Sequence, residues 1–375
     1  MTILGALGAV VSLALHSHFT RTLKPTMKQR KQPFFFHLSP RMALVSAMVT
    51  MAFLWALCRD ASAVIIIGST TGNTSAPSNS DLATRWNQVG NWGSYLGTPI
   101  ATNFFMTAKH IGGTIGDSIT FPDDSSSYQT VARVDDPSSD LSIWQISSAF
   151  PASKVVPMYS GTSFSANAPL TVFGRGVPRT GTAVTGARAP NGTESKGWTW
   201  GSPSQTRSWG TNTLDGIANG GSAGLQLAYD FDSNGGFDQG ILSIGDSAGP
   251  VFIQQSSQWR LAGINYAVGP ITVRETAGGP DITAALYDSS GLYSYNASAG
   301  SWLLEPATLA KQPAYSYSTS IPDRSAWVSS VIAVPEPTSL VLLVTALLFG
   351  PLGLRRSSRF FAHAKLRPSA DATNR

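Results

Sequence analysis

Between residues 64 and 334 the apolar residues come only in short runs closed by turn formers, and no long helical period appears until the end. The runs are Val64–Ile67, Ala101–Thr107, Leu141–Ile146, Leu170–Phe173, Val251–Ile253 and Leu261–Asn265. Runs of this length suit strands, and many short strands separated by Gly, Pro, Asn, Asp and Ser predict an all-β barrel or sandwich. The exception is terminal: Trp327, Val328, Val331 and Ile332 share one face of a short helix, with Asp323 as its expected N-cap. Residues 186–222 and 276–320 are rich in Gly, Ser, Thr and Trp and read as long surface loops. No internal repeat of fixed period is present.

Both ends of the 375-residue chain read as processing segments. The apolar run at 42–57 follows Lys28, Arg30, Lys31 and Arg41 and precedes Ala61-Ser62-Ala63, the layout of a secretory signal cleaved after Ala63. A membrane anchor is the other reading, but the run falls short of the roughly 20 residues that a spanning helix needs. Translation from Met27 rather than Met1 would make the signal more ordinary. At the other end Val334-Pro335-Glu336-Pro337 precedes an apolar run, Leu340–Leu354, and then Arg355-Arg356. An apolar span stopped by positive charge reads as a membrane segment with its basic end in the cytoplasm. The order Pro335, Glu336, Pro337, apolar helix, Arg cluster resembles the PEP-CTERM sorting signal of Gram-negative envelope proteins. That resemblance implies reading by an exosortase-type membrane enzyme. The expected organisation is an extension and signal peptide over 1–63, a working domain over 64–333 and a sorting tail over 334–375. Signal peptidase would be a transient partner, and the product would reach the cell envelope or extracellular matrix after passing through a membrane-anchored stage.

The ends also carry the basic charge. The whole chain is +5, whereas residues 64–334 hold 13 Lys/Arg against 18 Asp/Glu, a net charge of −5. No basic patch is left to recommend a nucleic-acid partner. The single cysteine, Cys58, lies in the signal, so the working domain has no disulfide. Its length of about 270 residues suffices for a large core without one.

Three residues of the domain fit nucleophilic chemistry. His110 is the only histidine between 64 and 334 and follows Phe104–Lys109, an apolar strand ending in a small-residue turn. Asp140 opens the alternating strand Asp-Leu-Ser-Ile-Trp-Gln-Ile. Ser247 sits in Gly-Asp-Ser-Ala-Gly-Pro, among small and rigid residues. Each alone is more ordinary as a structural or turn residue. Together they are the types that acyl transfer requires, since a serine hydroxyl attacks well only when a nearby base takes its proton. Imidazole serves because it titrates near neutral pH, a carboxylate fixes its tautomer, and small residues let backbone N–H groups reach a developing oxyanion. Asp135 and Asp136 compete with Asp140 for the orienting role.

The segments FMTAKHIGG, DLSIWQI and GDSAGPVF resemble the histidine, aspartate and serine motifs of the trypsin-like (chymotrypsin-fold) serine proteases. IIGS at 66–69, LAGINY at 261–266 and WVSSVI at 327–332 extend the likeness over about 66–333. The resemblance implies two antiparallel six-stranded β-barrels, a short C-terminal helix and a site between the barrels. It implies His110 as general base, Asp140 as its orienter and Ser247 as nucleophile, with the N–H groups of Gly245 and Ser247 as oxyanion hole. Tyr266, Ala267 and Val268 would pair with the substrate backbone, and Ile241 would lie on the pocket floor, against cleavage after Arg or Lys. A new N-terminus at Ile66 would form an ion pair with Asp246. Ala248 departs from the family's glycine, and the family's disulfides are missing. The implied activity is hydrolysis of protein or peptide substrates through an acyl-enzyme, with no cofactor and no metal. The alternative is a catalytically silent protease-like module for surface or matrix binding.

One further motif is open. Asp230, Asp232 and Asn234 alternate before Gly235, like the start of a calcium loop, but the twelfth position is Ile241 where an acid is expected. A polar Asp/Asn/Gly turn is the competing reading.

Overall fold

A computed structural model describes residues 63–189, 192–306 and 311–333. The signal run and the sorting segment from Val334 lie outside the described residues, whereas Ala63 lies within them. Strands dominate, and among the described residues no helix is long and apolar enough to cross a membrane.

Strand β1 (Ile65–Ile66) and helix α1 (Ser80–Gln88) precede a barrel. Asn79 caps α1 by accepting from the N–H groups of Asp81 and Leu82. The barrel is closed by β2 (Gly90–Trp92), β3 (Tyr95–Ala101), β4 (Phe104–Ala108), β5 (Ser118–Phe121), β6 (Ser126–Asp135) and β7 (Leu141–Ile146), in the order β2-β3-β4-β7-β6-β5. The two-residue period of a strand explains how β4 and β7 serve two cores. Phe105, Trp144 and Ile146 point inward to Trp92, Ile119 and Phe121. Met106, Ala108, Leu141 and Ile143 point outward into a second cluster with Phe173, Phe252, Leu261 and Ile264. Full burial of one such side chain contributes about 1.5–3 kcal/mol.

The remaining strands are β8 (Pro169–Gly174), β9 (Arg179–Ala189), β10 (Gly192–Trp200), β11 (Ser208–Thr213), β12 (Gly216–Asn219), β13 (Leu225–Asp230), β14 (Gly240–Ile241), β15 (Pro250–Gln255), β16 (Gln258–Gly269), β17 (Thr272–Arg274), β18 (Ile282–Leu286), β19 (Tyr293–Asn296), β20 (Ser301–Leu304) and β21 (Tyr315–Ser320). Seven of these form the antiparallel sheet β11-β8-β15-β16-β21-β13-β12. Its inner faces and the outer face of β4 and β7 enclose the second cluster, which also takes Leu82 and Trp86 of α1. Helix α2 (Ser325–Ile332) closes this cluster with Val328 and Val331, as its apolar spacing predicts. Asp323 is not its N-cap: it stands in a preceding 3-10 turn, Pro322–Arg324, and accepts from Ser320 Oγ at 2.5 Å.

The expected surface loops at 186–222 and 276–320 each carry four strands. They supply most of a separate six-stranded sheet, β20-β19-β17-β18-β10-β9. β9 and β10 are long but rich in Thr and Gly, and the other four strands have only three to five residues, so none shows a clean apolar alternation. What holds them is a third cluster in which Val184, Val273, Ala284, Leu286 and Leu292 meet Ile65, Phe231 and Ile241.

Candidate active site

The pairing of β4 with β7 brings the first two residues together. Ala108 stands opposite Leu141, so the residues just past β4 and just before β7 are neighbours across the ladder. Lys109 N–H donates to the Asp140 carbonyl at 2.7 Å, and the His110 N–H donates to Asp140 Oδ1 at 2.9 Å. His110 Nδ1 then lies 2.6 Å from Asp140 Oδ2. Asp140 is 5% exposed, so the carboxylate side of this contact is shielded from water, while the His110 ring is open to the cleft. The competing acids are engaged elsewhere: Asp135 with Arg133 and Ser142, and Asp136 with Arg324.

Ser247 arrives from the seven-stranded sheet, on the turn between β14 and β15. His110 Nε2 is 2.8 Å from Ser247 Oγ. The three residue types therefore form one continuous hydrogen-bonded row, Asp140–His110–Ser247. The turn is fixed by Asp246 N–H to the Ser243 carbonyl (3.1 Å), Gly249 N–H to the Asp246 carbonyl (3.1 Å) and Ala248 N–H to the Asn265 carbonyl (3.0 Å). Asn265 Nδ2 returns to the carbonyls of Phe173 (2.8 Å) and Asp246 (3.0 Å). Glycine is required at 249, where an added Cβ would come 2.0 Å from the Phe173 carbonyl oxygen. Ala248 holds φ at 65°, a left-handed conformation that a glycine would adopt without cost. Among the described residues the N–H groups of Gly245 and Ser247 donate to no protein acceptor. Both are free to meet an oxyanion next to Ser247 Oγ.

Tyr266, Ala267 and Val268 line the same cleft. The pairing of β15 with β16 stops at Pro250↔Ile264, while β21 continues along the other side of β16. Residues 266–268 thus present one open strand edge, suited to an extended peptide. A bulge between Asn265 and Ala267 re-aims Tyr266, whose ring meets His110 edge-on at 5.6 Å.

Ile241 is not on the pocket floor. It pairs with Ile65 in the β1–β14 ladder and is buried in the third cluster. Apolar lining comes instead from Leu242, Ile244, Val268 and Ile271, around a cavity of about 260 Å³ that includes His110 and Ser247. Among the described residues no ionisable acid or base lines it apart from His110 and the tyrosines. Counting back from Ser247 selected the right segment but missed the strand pairing that turns Ile241 away.

In the continuous chain Ile66 also lies away from Asp246. It pairs with Gly240, and its carbonyl accepts from Arg179 Nε at 3.0 Å. Arg179 also donates to the carbonyls of Ile67 (2.9 Å) and Ser69 (3.1 Å), which pins this segment. The link near Asp246 is Ala63–Val64. Ser243 Oγ lies 3.0 Å from Asp246 Oδ2 and 3.1 Å from the Ala63 carbonyl, while Ser208 Oγ accepts from Val64 N–H at 2.6 Å. Ala63 and Val64 are fully buried. Burial pushes the Asp246 carboxyl up to about 7, against donation from the N–H groups of Ser243 and Gly176. Among the described residues no cation touches it.

Asp230, Asp232 and Asn234 lie at a turn in which Gly235 N–H returns to the Asp232 carbonyl at 3.3 Å. Burial first, then the charges of Asp215 and Asp232, raise Asp230 to about 6. Among the described residues no three His, Cys, Asp or Glu side chains are grouped to hold a metal ion. Comparison of the sequence with models of known protein families and with curated proteins gives no match.

Proposed function

We propose that this chain is an exported serine endopeptidase of the trypsin-like kind. The observation that carries the reading is the row Asp140–His110–Ser247, with contacts of 2.6 Å and 2.8 Å, beside an open strand edge and two unclaimed N–H groups. In this reading the seven-stranded sheet is the counterpart of the family's second barrel.

A substrate strand pairs along 266–268 and sets its carbonyl over Ser247. Ser247 Oγ attacks the carbonyl carbon as His110 Nε2 takes the hydroxyl proton. Asp140 accepts the Nδ1 proton's hydrogen bond and stabilises the imidazolium. The N–H groups of Gly245 and Ser247 hold the tetrahedral oxyanion. Collapse breaks the C–N bond as His110 gives its proton to the leaving amine, which leaves an ester on Ser247. Water, activated by His110, then attacks the ester and releases the acid. Neither metal nor cofactor enters these steps. The apolar pocket favours substrates with an apolar side chain on the residue whose carbonyl is attacked, since a charge there would be desolvated without a partner.

Export and activation share one bond in this proposal. Signal cleavage after Ala63 would take away the carbonyl that Ser243 Oγ joins to Asp246 and leave the new Val64 amine beside that hydroxyl. The sorting tail and its exosortase-type partner would place the enzyme in the cell envelope or matrix. The test is hydrolysis of casein and of peptide esters by purified protein beginning at Val64. Ser247→Ala should lose activity by several orders of magnitude while remaining folded. Equal hydrolysis by the two proteins would refute the assignment.

A further inference from the structure

One buried ion pair reaches the site from the far end of the chain. Asp136 is fully buried, and four donors surround its carboxylate: Arg324 Nε (2.5 Å), Arg324 Nη2 (2.6 Å), Ser139 Oγ (2.7 Å) and Ser138 N–H (2.9 Å). The Arg324 contact is bidentate, the geometry that fixes orientation as well as position. Asp136 opens the turn that ends at Asp140. Lys109, the residue before His110, donates its Nζ to the carbonyls of Asp136 (2.7 Å) and Ser139 (2.6 Å) on the same turn. Asp136 N–H closes the turn on the Leu141 carbonyl at 2.9 Å. Arg324 stands immediately before α2, whose Val328 and Val331 anchor it in the cluster beneath the site.

We propose that Arg324 is a positioning residue for the catalytic row: its guanidinium clasps Asp136, holds the 136–140 turn, and through that turn aims Asp140 at His110. The inference rests on the protease reading. Arg324 touches no reacting atom and is not among the residues lining the substrate pocket. Its loss leaves Asp136 a buried carboxylate without its cation, and the turn must open to hydrate it. Asp140 works on charge that develops on His110 in the transition state, so a misaimed Asp140 lowers kcat and spares KM. The clasp also ties competence to α2 while leaving everything after Ala333 free to be trimmed by a sorting enzyme.

The experiment uses protein beginning at Val64, with Arg324→Ala, Arg324→Lys and Asp140→Asn variants, read by ester hydrolysis and near-ultraviolet circular dichroism. Arg324→Ala should keep the native spectrum, lose about ten- to a hundredfold in kcat and hold KM within about twofold. Guanidinium ion, well below denaturing concentration, should restore part of its kcat, while sodium at equal ionic strength should not. Guanidinium should do nothing for Asp140→Asn. Should Arg324→Ala fail to fold, Arg324→Lys, which keeps the charge but loses the fork, should fold and show the same kcat loss to a smaller degree. Unchanged kcat in a folded variant would overturn the proposal, as would a loss shared equally by KM or one that guanidinium cannot relieve. If the parent protein itself hydrolyses nothing, the protease reading fails first, and with it the role given to Arg324.

Discussion

The bond between Ala63 and Val64 offers a perturbation whose size can be worked out. In the continuous chain the buried Asp246 carboxyl is raised from 3.8 to about 7. A rise of about 3 units corresponds to about 4 kcal/mol, at roughly 1.4 kcal/mol per unit. Because the folded-state value is raised, the folded protein holds a proton that the unfolded chain releases. The contribution is therefore complete below about pH 4 and is lost as pH climbs through about 7. Cleavage removes the Ala63 carbonyl from Ser243 Oγ and turns the adjoining Val64 nitrogen, held at Ser208 Oγ, into an α-ammonium close to Asp246. A cation there favours the ionised carboxylate and lowers its pKa, so the loss on the alkaline side shrinks. The assay is urea unfolding at about pH 4 and about pH 8, on Ser247→Ala protein to prevent self-digestion. Two chains are compared, one keeping the residues before Ala63 and one starting at Val64. Asp246→Asn of the longer chain corrects for other groups, Asp230 among them, which is raised to about 6 and acts in the same direction. The longer chain should lose about 4 kcal/mol more than its Asp246→Asn form, and the chain starting at Val64 much less. Equal pH dependence in the two chains would refute the coupling of Val64 to Asp246.

Two further outcomes follow from the nucleophile turn and the pocket. Gly249→Ala should destabilise the fold by about 3 kcal/mol or more in urea titration, because its Cβ meets the Phe173 carbonyl oxygen at 2.0 Å. Ala248→Gly should be nearly neutral, since relief of a left-handed alanine (about 1 kcal/mol) is offset by a lost buried methyl (about 0.8 kcal/mol) and by the added freedom of the unfolded chain. Mass spectrometry of a digested peptide library should show cleavage after Leu, Phe or Met at least about 100-fold faster than after Lys, Arg or Asp, because an unpaired charge in this pocket costs about 3 kcal/mol or more.

How far the sequence could be read depended on whether a feature was local. His110 and Asp140 were legible because each sits at the end of an apolar strand, and strands of that kind carry their own period. That the two strands are neighbours was not legible, and the ladder with Ala108 opposite Leu141 shows it. The Ser247 turn was legible from its small residues. Register was not: Val64–Ile67 is apolar throughout, so nothing in it marks which residue faces Asp246, and the pairing Ile65↔Ile241 decides. The same pairing removed Ile241 from the pocket. The six-stranded sheet was hidden because Thr and Gly fill β9 and β10, its other strands are very short, and only a few inward residues, such as Val184 and Leu286, mark its buried face. The Asp136–Arg324 clasp joins residues 188 positions apart, and no local pattern announces such a pair.

Whether Ser247 is an activated nucleophile is tested most directly by intact-mass measurement after exposure to a fluorophosphonate. Protein beginning at Val64 should gain the mass of one phosphonyl group, mapped to Ser247, and lose its hydrolytic activity in step. Ser247→Ala should gain none, and His110→Ala should label slower by orders of magnitude, because the hydroxyl proton then has no acceptor at 2.8 Å. A folded protein that stays unlabelled, or that labels equally well without His110, would contradict the reading.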